Sequence, residues 1–483
     1  MDTIIEFVVE FFNFWIFIYA LTIALAYLVL AIISARELQF YRKSASFIDY
    51  NSILGSKLAP SLSIIAPCYN EEKSIVESVR SFLGLHYNNY EVIVVNDGSK
   101  DRSLQVLIEA YDMVKVDYFI DEKLRTNPIR GVYKSRNLTY SKLILIDKVN
   151  GGKGDALNAG VNVSAKRLVI CVDADCILAQ DSLLKMVRPY MNEKDRIIAT
   201  GSVVRIANDC DFEYGRLVRV NLPKKFIPRI QVLEYLRAFL MGRMAWSRLN
   251  GLLIVSGALG LFDKEIMIKS GGYDTTIVGE DMELVVRMRR WCHDHGLRYR
   301  IVYIPEPLCW TEAPTSLNVL GRQRNRWTRG SGETLWIHRG LMFNPRYGML
   351  GFISYPFWLF FEWFAPFVET IGMLYFALMI ALGLVNWVFF FSLLAMIYVY
   401  AVLLSFAVIM YEELTYRQYR KRSDIVKLLI TAMIEPIVFH PMVTYWAIKG
   451  NFDLLRGQKR WGDMARKGFE ATKAKDPRTE III

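Results

Sequence analysis

Leu168-Val169-Ile170-Cys171-Val172-Asp173-Ala174-Asp175 is a short apolar run, rich in β-branched side chains, that ends on two carboxylates two positions apart. An apolar run of this length bounded by polar turn residues reads as a buried strand. Three similar runs precede it, at 63–66, 91–95 and 143–146, each followed by a polar turn and a helix-like segment. Strand, turn and helix in repetition predict βαβ units, hence an α/β, Rossmann-like domain with a mostly parallel sheet. Such sheets bind ligands beyond the carboxyl ends of their strands. The polar residues here fall at those ends: Pro67-Cys68-Tyr69-Asn70-Glu71 after the first run, Asn96-Asp97-Gly98-Ser99 after the second, Asp173-Ala174-Asp175 after the fourth. Asn150-Gly151-Gly152-Lys153 stands before a helix start, where backbone amides and a lysine meet anions. The P-loop spacing GxxxxGK[ST] is absent.

Outside this domain the chain changes character. Of its 483 residues 53% are hydrophobic, high for a soluble protein of this size. The excess gathers at 7–33, 347–384, 388–410 and 425–448, and each block reaches the ~20 apolar residues that cross a hydrocarbon core. The first block is too long for a signal-peptide core and has no basic residues ahead of it, so an uncleaved anchor is expected. Arg36, Arg42 and Lys43 follow it, which places the middle domain in the cytoplasm by the positive-inside rule. The expected layout is an anchor at 1–35, a linker at 36–60, the α/β domain at 61–315, interfacial helices at 316–346, a membrane region at 347–448 and a basic tail at 449–483. Six cysteines lie in the middle domain without CxxC spacing and read as buried, reduced thiols. The net charge of +11 is explained by basic residues beside the apolar blocks, such as Arg417, Arg420, Lys421 and Arg422, which suit anionic lipid. No nucleic-acid signature is present, so the bilayer is the partner expected.

Two further motifs follow the strand-end acids. Gly279-Glu280-Asp281 opens a helical segment whose positive N-terminal dipole suits carboxylates, and either acid can equally be a plain cap. Gln323-Arg324-Asn325-Arg326-Trp327 stands just before the membrane region. Its two arginines, two apart, would not share a face of a straight helix, so a bend or helix end is expected. An interfacial helix with arginines on lipid phosphate is the rival reading.

In order and spacing these elements resemble the processive, inverting family-2 glycosyltransferases: cellulose, chitin, hyaluronan and poly-N-acetylglucosamine synthases. The likeness runs from about Ser61 to Trp327. It implies a glycosyltransferase A-type fold flanked by N- and C-terminal transmembrane helices, a UDP-sugar donor (UDP-GlcNAc or UDP-glucose) and a growing polysaccharide as acceptor. By the same resemblance Tyr69 stacks on the base, Asp97 binds uracil with Glu71 beside them, and Lys153 meets the nucleotide. The leaving diphosphate needs a divalent cation, and oxygen ligands favour Mg²⁺ or Mn²⁺. Asp175 is then the metal ligand and Asp173 contacts the sugar or ribose. Inversion needs one base and no covalent intermediate, which falls to Asp281 with Glu280 in support. Ser256-Gly257-Ala258-Leu259-Gly260 becomes a wall of the acceptor site, although a tight buried turn fits it as well. Gln323, Arg324 and Arg326 serve the diphosphate or acceptor, and Trp327 lies under the terminal sugar. Glu234, Tyr235 and Arg237 also recur in the likeness, without a role.

The membrane blocks provide a route for a hydrophilic product, and the reading leaves room for an accessory export subunit. Glu362, Glu369 and Glu435 lie inside apolar blocks, where carboxylates either line a polar path for the sugar, or sit at the interface or pair with basic residues. After Ile448 nine basic residues face five acidic ones, which argues for a cytoplasmic tail and an even number of crossings. Either 347–384 then crosses twice or 425–448 only dips in near Pro436. A single-transfer enzyme acting on a lipid carrier and a non-catalytic export scaffold are the competing functions.

Overall fold

The computed structural model describes residues 2–45, 50–56, 58–192 and 194–458. The middle domain is built on one ten-stranded sheet. Its strands are β1 Leu62–Cys68, β2 Tyr90–Asn96, β3 Met113–Val116, β4 Ile129–Ser135, β5 Leu143–Lys148, β6 Leu168–Val172, β7 Cys176–Leu178 and β8 Arg196–Ile206. A separate hairpin, β9 Asp211–Glu213 and β10 Arg216–Arg219, comes next, and β11 Leu259–Asp263 and β12 Tyr299–Thr311 complete the sheet. The strand order is β3-β4-β5-β2-β1-β6-β11-β8-β12-β7.

All four runs read from the sequence are central strands, and β5-β2-β1-β6 is the expected parallel block. Their side chains, including Ile64, Ile65, Val92, Val94, Val169 and Ile170, are fully buried on both faces, as continuous apolar runs demand. Antiparallel pairs flank this block on both sides, so the sheet as a whole is mixed. The parallel block is what matters for the site, because it aligns the carboxyl ends of β1, β2 and β6 at one edge. That edge is tied together: the Asp97 amide donates to the Cys68 carbonyl at 2.9 Å, and the Asp173 amide to the Ala258 carbonyl at 3.2 Å.

Among the described residues three helical stretches are long and apolar enough to cross a membrane: Glu6–Ser44, Leu350–Ala381 and Trp387–Thr415. A fourth candidate, Arg422–Val438 with His440–Leu455, bends by 48°. The bend falls just after Pro436, where the sequence placed a dip, while Leu350–Ala381 runs as one 32-residue stretch rather than two crossings. The first helix, Asp2–Ala45, continues past the expected boundary at residue 35. Residues 36–45 are good helix formers and end on Arg42 and Lys43, which suit a helix C-terminus, so the expected linker starts as helix. Likewise His440–Leu455 runs beyond 448. The tail from 459 onward, with most of its basic residues, lies outside the described residues.

Hydrogen bonds join the first helix to the C-terminal ones: the Tyr375 hydroxyl to Asn13 Oδ1 at 3.0 Å and the Tyr400 hydroxyl to the Ala24 carbonyl at 2.5 Å. The three carboxylates named from the C-terminal apolar blocks are also engaged. Glu362 accepts from the Tyr27 hydroxyl at 2.7 Å, Glu369 from the Thr444 hydroxyl at 2.7 Å, and Glu435 receives a two-pronged bond from Arg237 at 2.9 Å. Glu435 thus pairs with a basic group, Glu369 also lies 3.2 Å from His440, and Glu362 is met by a hydroxyl; a carboxylate left without a partner in hydrocarbon would cost several kcal/mol. All six cysteines are free, and all but Cys210 are buried, as expected of structural thiols.

Candidate active site

A cavity of about 710 Å³ opens between the strand ends and the first turns of two helices. Lys153, Asp173, Asp175, Ser256, Gly257, Glu280, Asp281, Gln323, Arg324, Arg326 and Trp327 all face it, so eleven of the fourteen residues named from the sequence share one space. Tyr69, Glu71 and Asp97 lie outside its lining.

Asp97 is buried, and its carboxylate accepts from Lys148 Nζ at 2.8 Å, the Gly151 amide at 2.9 Å and the Gly152 amide at 2.8 Å. It holds the glycine turn that aims Lys153 into the cavity. Lys148 also pairs with Asp155 and is fully buried, so one lysine bridges two acids beneath this turn. Glu71 Oε2 accepts from the Ser74 hydroxyl at 2.8 Å beside the following helix, and Asn70 takes a left-handed conformation locked by Ser99 and Lys100. The stretch makes a turn from strand to helix, with Ser74 at the N-cap of Ile75–Leu83, and Tyr69 stands half exposed on it.

Lys153 Nζ lies 2.5 Å from Asp173 and donates to the Gly257 carbonyl at 3.1 Å. Burial opposes its charge, but Asp173, Glu280 and Asp281 outweigh burial and hold its pKa well above the ordinary lysine value. Glu280 is buried, and burial pushes its pKa up to about 7; Lys153 opposes that shift, Asp281 adds to it and Arg326 opposes it. Asp281, the second residue of the helix Glu280–Asp294, is the less buried of the pair, and its Oδ1 accepts from the Met282 amide at 2.9 Å. A Cβ at position 257 would lie 2.7 Å from Asp281 Oδ2, so glycine there leaves room for the carboxylate. Of the Ser256–Gly260 stretch, Ser256, Gly257 and Ala258 line the cavity in a part-buried bend, and Leu259 and Gly260 belong to β11.

The segment Leu317–Ile337 is one continuous helix capped by Ser316, and the bend expected at Arg324 is absent. The expectation failed because the two arginines need not neighbour each other. Arg326 is three residues from Gln323, while Trp327 is three from Arg324 and four from Gln323, so a straight helix brings the set to one side. Arg324 is buried, its Nη2 is 2.5 Å from Glu234 Oε2, and its guanidinium lies 4.1 Å from the centre of the Trp327 ring.

Position 279 meets position 330 at a backbone crossing. A Cβ on Gly279 would be 2.6 Å from the Gly330 carbonyl oxygen, and one on Gly330 would be 2.7 Å from the Gly279 Cα. The helix with Asp281 and the helix with Trp327 are thereby held at a fixed separation. Gly330→Ala is expected to cost about 1–3 kcal/mol through overpacking and to lower turnover, because backbone has no rotamer by which to yield. Gly332→Ala, whose Cβ would meet only the Leu454 and Trp363 side chains, should be milder. Thermal unfolding and turnover of the two variants check the ranking.

Lys148 and Gly330 were missed by sequence reasoning, and Glu234 was named without its role. The available signals were a lysine ending an otherwise apolar strand and two glycines, 330 and 332, inside a helix where each costs about 1 kcal/mol.

Comparison with known proteins adds an independent finding. Residues 59–330 match the model described as glycosyltransferase like family 2. The chain is 27% identical over 331 residues to a poly-beta-1,6-N-acetyl-D-glucosamine synthase of Staphylococcus aureus, covering 68% of this chain and 66% of the relative, just under two thirds of its length. A Staphylococcus epidermidis protein of the same name is 25% identical over 274 residues, covering 57% of this chain and 55% of that one. A mannosyltransferase from Pyrobaculum calidifontis, solved in complex with GDP-Man and Mn²⁺, superposes with a TM-score of 0.49 at 17% identity, covering 86% of this chain and 98% of that one. The matched span takes in the parallel block, the Asp173-Ala174-Asp175 strand end, Asp281 and Trp327, and on that match the chain belongs to the family-2 glycosyltransferases.

Proposed function

We propose that the protein is a membrane-embedded, processive, inverting β-glycosyltransferase that polymerises a UDP-sugar, UDP-GlcNAc ahead of UDP-glucose, and passes the product across the plasma or inner membrane. The observation that carries this reading is the single cavity in which the strand-end acids, Lys153, Glu280-Asp281 and the Gln323–Trp327 segment meet. The relatives named as poly-beta-1,6-N-acetyl-D-glucosamine synthases favour N-acetylglucosamine as the sugar. In this reading the catalytic domain and tail are cytoplasmic, and an export subunit can assist.

The donor set suits a hard divalent cation, Mg²⁺ or Mn²⁺, because Asp173 and Asp175 present only oxygen. Among the described residues no group of three or more acidic, histidine or cysteine side chains is gathered to hold an ion unaided. Asp175 would hold the cation, with phosphate oxygens completing the shell, and the cation would offset the charge growing on the diphosphate. Lys153 supplies fixed positive charge on the same side, and Arg326 faces the same space. Asp281 accepts the proton of the attacking hydroxyl, while Trp327 supports the acceptor's terminal sugar. Incubating the purified protein with single labelled UDP-sugars and sizing the products tests the proposal. A polymer from one sugar is the expected outcome; a single sugar on a lipid would mean the non-processive reaction.

Glu280 gives a separate expectation. Its folded pKa of about 7 lies above the ordinary glutamate value, so the fold keeps a proton that the unfolded chain has lost. Its contribution to stability is present below about pH 4.5 and is lost as pH rises toward 7, by about 3 kcal/mol. Glu280→Gln should remove that part of the pH dependence, which melting temperatures at pH 5.5 and 8 compare. An unchanged pH dependence in the variant would mean Glu280 is already charged at pH 5.5.

A further inference from the structure

We propose that Glu234 is a positioning residue that, through Arg324, fixes a two-sided acceptor clamp: the Trp327 ring for the face of the terminal sugar, and the unspent Arg324 N–H groups for its hydroxyl or amide-carbonyl oxygens. The inference rests on the polymerising reading and adds to it a residue, a contact and a ligand class. Arg324 is 5% exposed, yet its Nε and Nη1 have no hydrogen-bond partner among the described residues. A buried guanidinium with idle donors is costly unless a ligand completes it. Both Arg324 and Glu234 belong to the cavity wall.

Glu234 takes Nη2 alone, at 2.5 Å. That contact holds the guanidinium carbon over the Trp327 ring, 4.1 Å from its centre. Trp327 stays 44% exposed, so the guanidinium covers part of the side chain and leaves the rest open. Burial raises the Glu234 pKa, while Arg324 and then Arg237 oppose the shift. Three residues on, Arg237 forks onto Glu435 at 2.9 Å and also donates to the Ser405 hydroxyl at 2.7 Å. The turn that carries Glu234 is thus anchored to the membrane-side helices, and Arg324 is held against a fixed post.

A lysine at 324 would keep the charge and lose the flat face. A neutral pair would remove the stranded charge that a single substitution leaves. The experiment uses the full-length protein in lipid nanodiscs, with UDP-GlcNAc and a β-linked N-acetylglucosamine oligosaccharide. Glu234→Gln, Arg324→Lys and Glu234→Gln/Arg324→Gln should each raise the acceptor KM at least about tenfold, the loss of one charge-assisted hydrogen bond, and shorten the products. Donor KM and UDP affinity should stay within about twofold, and Glu234→Asp should recover part of the acceptor affinity. Retained UDP affinity in the neutral pair excludes misfolding as the cause. Donor and acceptor KM moving together, or an acceptor KM and product length like the parent's, would overturn the clamp. A parent that extends no oligosaccharide would overturn the polymerising reading and the clamp with it, whereas normal extension by the parent confines any failure to the clamp.

Discussion

Asp281→Asn is expected to bind UDP as the parent does and to turn over at least ~100-fold more slowly, the lower end for removal of a general base. The substitution changes little else. Asparagine has the same shape, its carbonyl oxygen can keep the bond that Oδ1 accepts from the Met282 amide, and Gly257 leaves space for either group. What is lost is the capacity to take a proton. A base acts on the acceptor hydroxyl, and Asp97 with Gly151 and Gly152 lies outside the cavity lining, so nucleotide affinity should not follow turnover. Glu280 is the competitor for the role. Single-turnover rates with UDP affinity measured in parallel decide the matter: near-normal turnover in Asp281→Asn together with a collapse in Glu280→Gln would transfer the base to Glu280.

Asp175→Asn should abolish transfer and weaken UDP binding only when Mg²⁺ or Mn²⁺ is present. The reason is electrostatic. A diphosphate brought next to Asp173, Asp175, Glu280 and Asp281 meets four carboxylates, and Lys153 is already committed to Asp173 at 2.5 Å. The nucleotide needs further positive charge to settle there, and Asp175 is the acid that would share it. Titrating UDP calorimetrically with the divalent cation and with a chelator gives four affinities. Parent and variant should agree under chelation and differ with the cation; equal gains in both would release Asp175 from the assignment.

The parallel centre of the fold was legible because its strands are continuous apolar runs ending on polar turns, a local signal. The antiparallel flanks were not, since pairings such as β11 with β6 join strands about 90 residues apart and leave no local pattern. Asp173, Asp175, Asp281 and Trp327, with chemistry in their own side chains, were named by motif and line one cavity. The contacts by which Lys148 and Glu234 hold other side chains were not legible. Lys148 acts on Asp97 across 51 positions and Glu234 on Arg324 across 90, and nothing in the intervening sequence reports either contact. The expected bend at Arg324 came from considering the two arginines as a pair, when Trp327 and Gln323 were the neighbours that mattered.

The bonds from Tyr375 to Asn13 and from Tyr400 to Ala24 set a timetable for making this protein. They join groups 362 and 376 positions apart. At a synthesis rate of ~5–20 residues per second, roughly 20–70 s pass between the emergence of Asn13 and that of Tyr375. During that interval Asn13 and the Ala24 carbonyl wait for these partners, while every strand of the sheet, the last ending at Thr311, has already been made. The contacts between the first helix and the C-terminal ones are therefore among the last that the growing chain can form.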